Sequence, residues 1–140
     1  MSPSPITAAD MLEIQFRKAS KKGHIHNANL RPGYSHPMLA ADDPPVLEVV
    51  DRRGQGVFFT CRGLTIPGHG FVRYDDIDRA HWMRQELSRA RKQEEFDRIE
   101  LRLRDGTAVK LVDLDQAVFP LLKFFDWLIQ QRNRAARKST

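Results

Sequence analysis

The sequence predicts an α+β fold: about seven antiparallel strands forming a partly open β-barrel, a C-terminal amphipathic helix capping it, and an extra N-terminal helix. Three observations predict it. Apolar and polar residues alternate with period two through the middle of the chain, between turns that contain glycine. The pair Asp105-Gly106 stands between two further alternating runs, which is a strong short hairpin signal. The C-terminal stretch carries large apolar residues at i, i+3, i+4 and i+7, a face that needs a sheet to cover it.

Met1 to Pro5 is small, polar and rich in proline, and is expected to be disordered. Thr7 stands where an N-cap belongs, with Asp10 three residues on, where a carboxylate suits the helix N-terminus. Met11, Leu12, Ile14, Phe16 and Ala19 give an incomplete apolar stripe. Lys18, Lys21 and Lys22 crowd the last turn and Gly23 suits the C′ position, so a helix is expected over 7–22. From His24 to Pro45 no period is visible: the stretch holds Pro32, Gly33, Pro37, Pro44 and Pro45 with Asn27 and Asn29. So long a structureless run is either a linker or a segment laid across the domain surface.

Val46 to Val50 reads as the first strand. Val57, Phe59 and Cys61 then alternate with Phe58, Thr60 and Arg62, the pattern of a strand with one buried face. Arg62-Gly63 supplies a turn, and Leu64 to Ile66 resumes the alternation. Pro67-Gly68-His69-Gly70 breaks it again before a third short strand, Phe71 to Tyr74. Asp75 and Asp76 are expected to cap the next turn with their side chains, and Ile77 returns to the core. A strand over 78–87 would turn Ala80 and Trp82 inward, followed by a charged connector over 88–95 with one or two helical turns. Ile99, Leu101 and Leu103 alternate with charged residues before the Asp105-Gly106 turn. Val109 and Leu111, with Asp113 at the end, continue on the partner strand. Asp115 would cap the final helix, with Pro120 in its first turn. Leu121, Leu122, Phe124, Phe125, Leu128 and Ile129 form its apolar face.

The run Phe58-x-Thr60-x-x-Gly63-Leu64-x-Ile66, followed by Tyr74-x-Asp76-Ile77, resembles bacterial pleckstrin-homology-like domains of unknown function. The likeness spans residues 46–137. It divides the chain into an N-terminal helix with an irregular segment, 1–45, and a pleckstrin-homology-like domain with a basic tail, 46–140. What it implies is the barrel-and-helix fold; a fold alone does not fix a function. Members that bind phosphoinositides carry a basic run across the first hairpin. This chain has Arg62 and Arg73 but no R-x-R run there, so inositol-lipid recognition is not expected.

Length and composition fit one soluble domain: 140 residues, 41% hydrophobic and 29% charged. The N-terminus has no apolar stretch of the secretory kind, and the longest apolar run, Phe119 to Ile129, is interrupted by Lys123 and Asp126. The one cysteine, Cys61, excludes an internal disulfide. It is expected to be a buried structural thiol on the inward strand face, in a reducing cytoplasmic setting. The net charge of +5 belongs to the ends: Arg17, Lys18, Lys21 and Lys22 near the start, Arg132, Arg134, Arg137 and Lys138 at the finish. Setting those eight aside leaves 15 basic against 18 acidic residues. That pattern argues against a basic groove across the fold, and hence against specific nucleic-acid binding.

Three sets of residues carry candidate chemistry. His24 and His26, with His36 ten residues on, have metal-ligand chemistry, but nothing in their spacing forces convergence, so exposed loop histidines are expected and no cofactor. Cys61 with His69 or His81 lacks any flanking nucleophile motif, and no catalytic set is assigned. Trp127 falls off the main apolar stripe of the last helix. With Arg62, Arg73, Arg132 and Arg134 it makes up the candidate partner-binding set. The expected function is a non-catalytic module that binds a protein partner or itself. The alternatives are peripheral attachment to anionic membrane through the basic ends, and a metal-binding protein or enzyme using His24, His26 and His36.

Overall fold

A computed structural model describes residues 7–21, 27–82, 98–112, 114 and 117–138, with Trp82 and residues 135–138 described by backbone alone. The first helix, α1 (Ala8–Lys21), starts as its sequence requires. The Thr7 hydroxyl accepts the Asp10 amide at 3.1 Å while the Asp10 carboxylate accepts the Thr7 amide at 3.3 Å. Two amide donors that the helix itself cannot satisfy are thus used reciprocally. Ala9, Leu12 and Phe16 are buried, and Ile14 is turned to solvent.

The next strand, β1 (Ala28–Leu30), lies within the stretch that the sequence marks as irregular. It pairs antiparallel with β2 (Leu47–Val50), Ala28 opposite Val49. Three residues are too few to show a period, and the strand is tied in by its asparagines instead. Asn27 donates to the carbonyls of Val50 and Leu114 at 2.9 and 3.1 Å. At Arg31 the backbone takes the left-handed conformation, φ 47°, and its amide donates to the Val46 carbonyl at 2.7 Å. That turn ends β1 and sends residues 32–45 back over the sheet. Of the two readings of this segment, the surface strap holds for its described part.

After β2 come β3 (Gly56–Phe59), β4 (Gly63–Ile66) and β5 (Gly70–Arg73), completing a five-stranded antiparallel sheet in the order β1-β2-β3-β4-β5. A single 3₁₀ turn, Tyr74–Asp76, leads to β6 (Ile77–Trp82), which pairs with β7 (Ile99–Leu103) and then β8 (Ala108–Leu111) in a three-stranded sheet. The expected barrel is therefore two antiparallel sheets that do not close into one ladder among the described residues. The second helix, α2 (Val118–Lys138), has Pro120 in its first turn as expected. It packs on α1 and on β6. Phe124 and Phe125 are fully buried and meet Phe59 edge-on or tilted, at 6.4 and 6.3 Å between ring centres. Such rings contribute more per residue to a core than any aliphatic side chain. Leu12 and Phe16 of α1 enter the same core as Leu47, Leu64 and Phe124.

Two local expectations are corrected. Cys61 is exposed. β3 stops at Phe59 because the Thr60 amide donates to the Gly63 carbonyl at 2.8 Å, and the Thr60 hydroxyl accepts the Arg62 and Gly63 amides, both at 3.1 Å. The turn is therefore Cys61-Arg62, one residue earlier than the alternation suggests, and Cys61 sits at its tip. Gly63 instead begins β4, where a β-carbon would stand 2.1 Å from the Val72 carbonyl oxygen; only glycine permits that approach. Nor do Asp75 and Asp76 cap their turn by side chains among the described residues. Asp75 faces Arg73 at 3.8 Å, and Asp76 contributes its carbonyl, which accepts the Arg104 amide. Ala80 packs on the core as expected. The Trp82 side chain, the 88–95 connector, Asp113, Asp115 and Met1 to Pro5 fall outside the described residues.

Candidate functional site

The pleat of the five-stranded sheet places alternate residues on opposite faces. Leu47, Val49, Val57, Phe59, Leu64 and Ile66 belong to the core. Glu48, Phe58 and Thr65 therefore point the other way. Glu48 is the cross-strand partner of Phe58, and the Phe58 amide donates to the Thr65 hydroxyl at 3.0 Å. The 32–45 strap covers this outer face. Tyr34 meets the Phe58 ring edge-on at 6.1 Å, and His36 lies tilted against it at 5.5 Å. His36 is held by its own loop: its Nδ1 accepts the Met38 amide at 3.1 Å and its carbonyl accepts the Leu39 amide at 3.0 Å. The far end of the strap is clipped where the Thr60 hydroxyl donates to the buried Asp43 carboxylate at 2.7 Å.

Between the strap and the β4–β5 turn lies a cleft of about 610 Å³. Phe58, Thr65 and Glu48 form its floor, His36 and Met38 one wall, and Pro67 to Gly70 the other, with His69 at the rim. Gln55 and Gly56 close one end. Glu48 is the group with chemistry. It is only 5% exposed. Its Oε1 accepts the Tyr34 hydroxyl and, at 3.2 Å, the Asn29 amide. Its Oε2, beside Gly56, has no hydrogen-bond partner among the described residues and stays open to the cleft. No arginine, lysine or histidine pairs with this carboxylate among the described residues. A carboxylate in such surroundings interacts with an incoming cation far more strongly than one in bulk water does. The Tyr34 phenol is raised above its ordinary value by the hydrogen bond to Glu48, then by burial and by the carboxylate's charge. It stays a neutral donor to Glu48 at physiological pH.

The residues marked in the sequence are distributed as follows. His36 reaches the cleft; His24 and His26 lie in 22–26, outside the described residues. Among the described residues no three His, Cys, Asp or Glu side chains stand close enough to hold a metal ion. Arg62 and Arg73 share a separate shallow groove with Met38, Ala40, Asp43 and Phe71. Both are exposed and face Asp42 and Asp75 at 3.5 and 3.8 Å, surface pairs of small energetic weight. Trp127 is half-buried, stacked on Phe124 at 6.3 Å and packed against the core, so it is not a spare surface aromatic. Arg132 lines yet another groove and Arg134 is exposed, so the four arginines do not converge. Sequence reasoning missed Glu48, and weighed His69 only as a partner of Cys61, not as a residue of this cleft. A signal for Glu48 was present: a single carboxylate in the middle of the apolar run VLEVV, opposite in phase to Leu47 and Val49. No protein-family model, curated protein or solved structure matches the chain.

Proposed function

We propose that the protein is a non-catalytic interaction module of the pleckstrin-homology-like kind, holding a short segment of a protein partner in the cleft with a lysine or arginine of that segment on Glu48. The observation that carries this reading is the Glu48 carboxylate, nearly buried, satisfied on one oxygen and open on the other. Tyr34 and Met38, two large apolar side chains more than half exposed, stand beside it and give the segment something to pack on. The order of elements after residue 46, strands β2–β5, strands β6–β8 and then α2, is the order the resemblance implies, which supports the domain kind. A binding role also fits the cleft's hydroxyl: Thr65 is occupied as acceptor of the Phe58 amide, and among the described residues no hydrogen bond joins it to a base.

The test is selection of short displayed peptides on the intact chain. Enriched peptides are expected to carry Lys or Arg next to an apolar residue. Glu48→Gln, which still offers Tyr34 and Asn29 an acceptor, should weaken them about tenfold, the loss of one charge-assisted hydrogen bond. Enrichment of acidic peptides, or affinity unchanged in Glu48→Gln, would overturn the reading. A dimer in sedimentation that dissociates on the same substitution would make the partner segment that of a second copy.

A further inference from the structure

The turn between β7 and β8 and the C-terminal part of α2 meet at a groove of about 430 Å³, lined by Asp78, Arg104, Ile129, Arg132 and Asn133. None of these residues lines the cleft over Glu48. Arg104 is presented by a fixed backbone. Its amide donates to the Asp76 carbonyl at 2.9 Å, the Gly106 amide to the Leu103 carbonyl at 3.0 Å, and Asp105 accepts the Thr107 amide at 2.8 Å. Arg132 comes from the helix and is half-buried. Two arginines thus line one groove, one from a hydrogen-bonded hairpin turn and one from a helix.

Neither arginine has a carboxylate partner within ion-pair distance among the described residues. Burial, and next the nearby charge of Arg104, pull Arg132 below the ordinary arginine value, while Asp75 and Asp78 act the other way. Those two carboxylates are drawn toward other arginines, Asp75 to Arg73 at 3.8 Å and Asp78 to Arg79 at 4.0 Å. The groove therefore holds two cations that repel each other and whose planar forks of N–H donors have no side-chain acceptor among the described residues. An oxyanion lying between them would accept from both and cancel the repulsion.

We propose that the groove between Arg104 and Arg132 binds a phosphate-type oxyanion, with the Asn133 amide at its edge. A free phosphate, a phosphorylated small molecule and a phospholipid headgroup share this chemistry. The site is a pair of arginines lining one groove, and it does not need the basic residues beyond Arg134.

Inorganic phosphate titrated into the intact chain, with chloride at matched ionic strength as reference, tests it through amide NMR shifts. Saturable shifts are expected at Arg104, Arg132 and Asn133. Arg104→Gln and Arg132→Gln should each weaken phosphate about tenfold, as loss of a charge-assisted contact does. Asp78→Asn should tighten it, and a chain trimmed after Arg134 should bind as the intact one does. Shifts that chloride reproduces, or binding that survives both arginine substitutions or vanishes on trimming, would overturn the proposal. Sedimentation with phosphatidic acid, phosphatidylserine and phosphatidylcholine vesicles at physiological salt separates the sources. Recruitment by phosphatidic acid that Arg132→Gln abolishes assigns a lipid headgroup, and phosphate saturation without recruitment assigns a soluble phosphoryl group.

Discussion

Both faces of the five-stranded sheet are covered, but by different means. The inner face, Leu47, Val49, Val57, Phe59 and Leu64, is covered by regular structure: Phe59 meets two rings of α2 and is fully buried. The outer face, Glu48, Phe58 and Thr65, is covered by the strap of residues 32–45, which contributes an edge-on tyrosine and a tilted histidine. Phe58 and Phe59 are neighbours in sequence and nearly equal in exposure, at 6% and 0%. Their surroundings differ in how far they can relax, and that difference separates a face that holds the fold from one that can hold a ligand.

The sharpest way to break this comparison is to truncate both rings. Phe59→Ala should destabilise the protein by about 3–5 kcal/mol, because the helices around the cavity cannot collapse into it. Phe58→Ala should lose roughly half as much, since an irregular strap can settle onto the sheet more readily than two packed helices can. Denaturant unfolding of both variants measures the pair. Equal losses would mean that the strap is as rigid a part of the core as α2.

The same difference explains what the sequence could reveal. The inner face was legible because hydrophobic burial leaves a periodic trace: Val57 with Phe59, Leu64 with Ile66, and Ile99, Leu101 and Leu103 all point as their alternation requires. The Thr7–Asp10 cap and Pro120 in the first turn of α2 were legible because capping is local chemistry. The outer face was not. Phe58 reads as the polar-side residue of a one-faced strand, and ring contacts from Tyr34 and His36, distant in sequence and aperiodic, help to bury it. β1 escaped for the same reason, since its order comes from Asn27 and from pairing with β2. Cys61 was misplaced because the side chain of Thr60, and no glycine, starts the turn.

The two faces are joined at Thr60. Its hydroxyl reaches out to Asp43 of the strap at 2.7 Å, while its carbonyl accepts the hydroxyl of Tyr74, buried in the core, also at 2.7 Å. Thr60→Val keeps the shape but strands the buried Asp43 carboxylate and two turn amides, a loss of roughly 2–3 kcal/mol. The Tyr74 phenol is pushed well above its ordinary value of 10.0, first by burial and then by Cys61 and Asp43. Because the folded protein keeps this proton at a pH where the unfolded chain releases it, the stability is whole below the ordinary value and declines as pH rises above it. Tyr74→Phe should flatten that alkaline decline. A decline unchanged in Tyr74→Phe would show that the joint does not govern alkaline unfolding.

The smallest expected effect on stability is the most informative about the outer face. A β-carbon at Gly56 would stand 2.9 Å from Glu48 Oε2 and 3.2 Å from Phe58 Cε2. The first of these is the far end of a flexible side chain, so Gly56→Ala should move the carboxylate and leave the sheet intact. Alanine in a strand also loses less conformational freedom on folding than glycine, by about 0.5–1 kcal/mol, which offsets the crowding of Phe58. Thermal stability should therefore stay within about 1 kcal/mol of the parent, the scale of an ordinary surface substitution. Peptide affinity in the cleft should nevertheless drop about tenfold, because the oxygen left open for a cation is the one displaced. If affinity holds while stability falls as far as in Phe58→Ala, then Glu48 braces the strap through Tyr34 and Asn29, and the outer face is a second core with a charge in it.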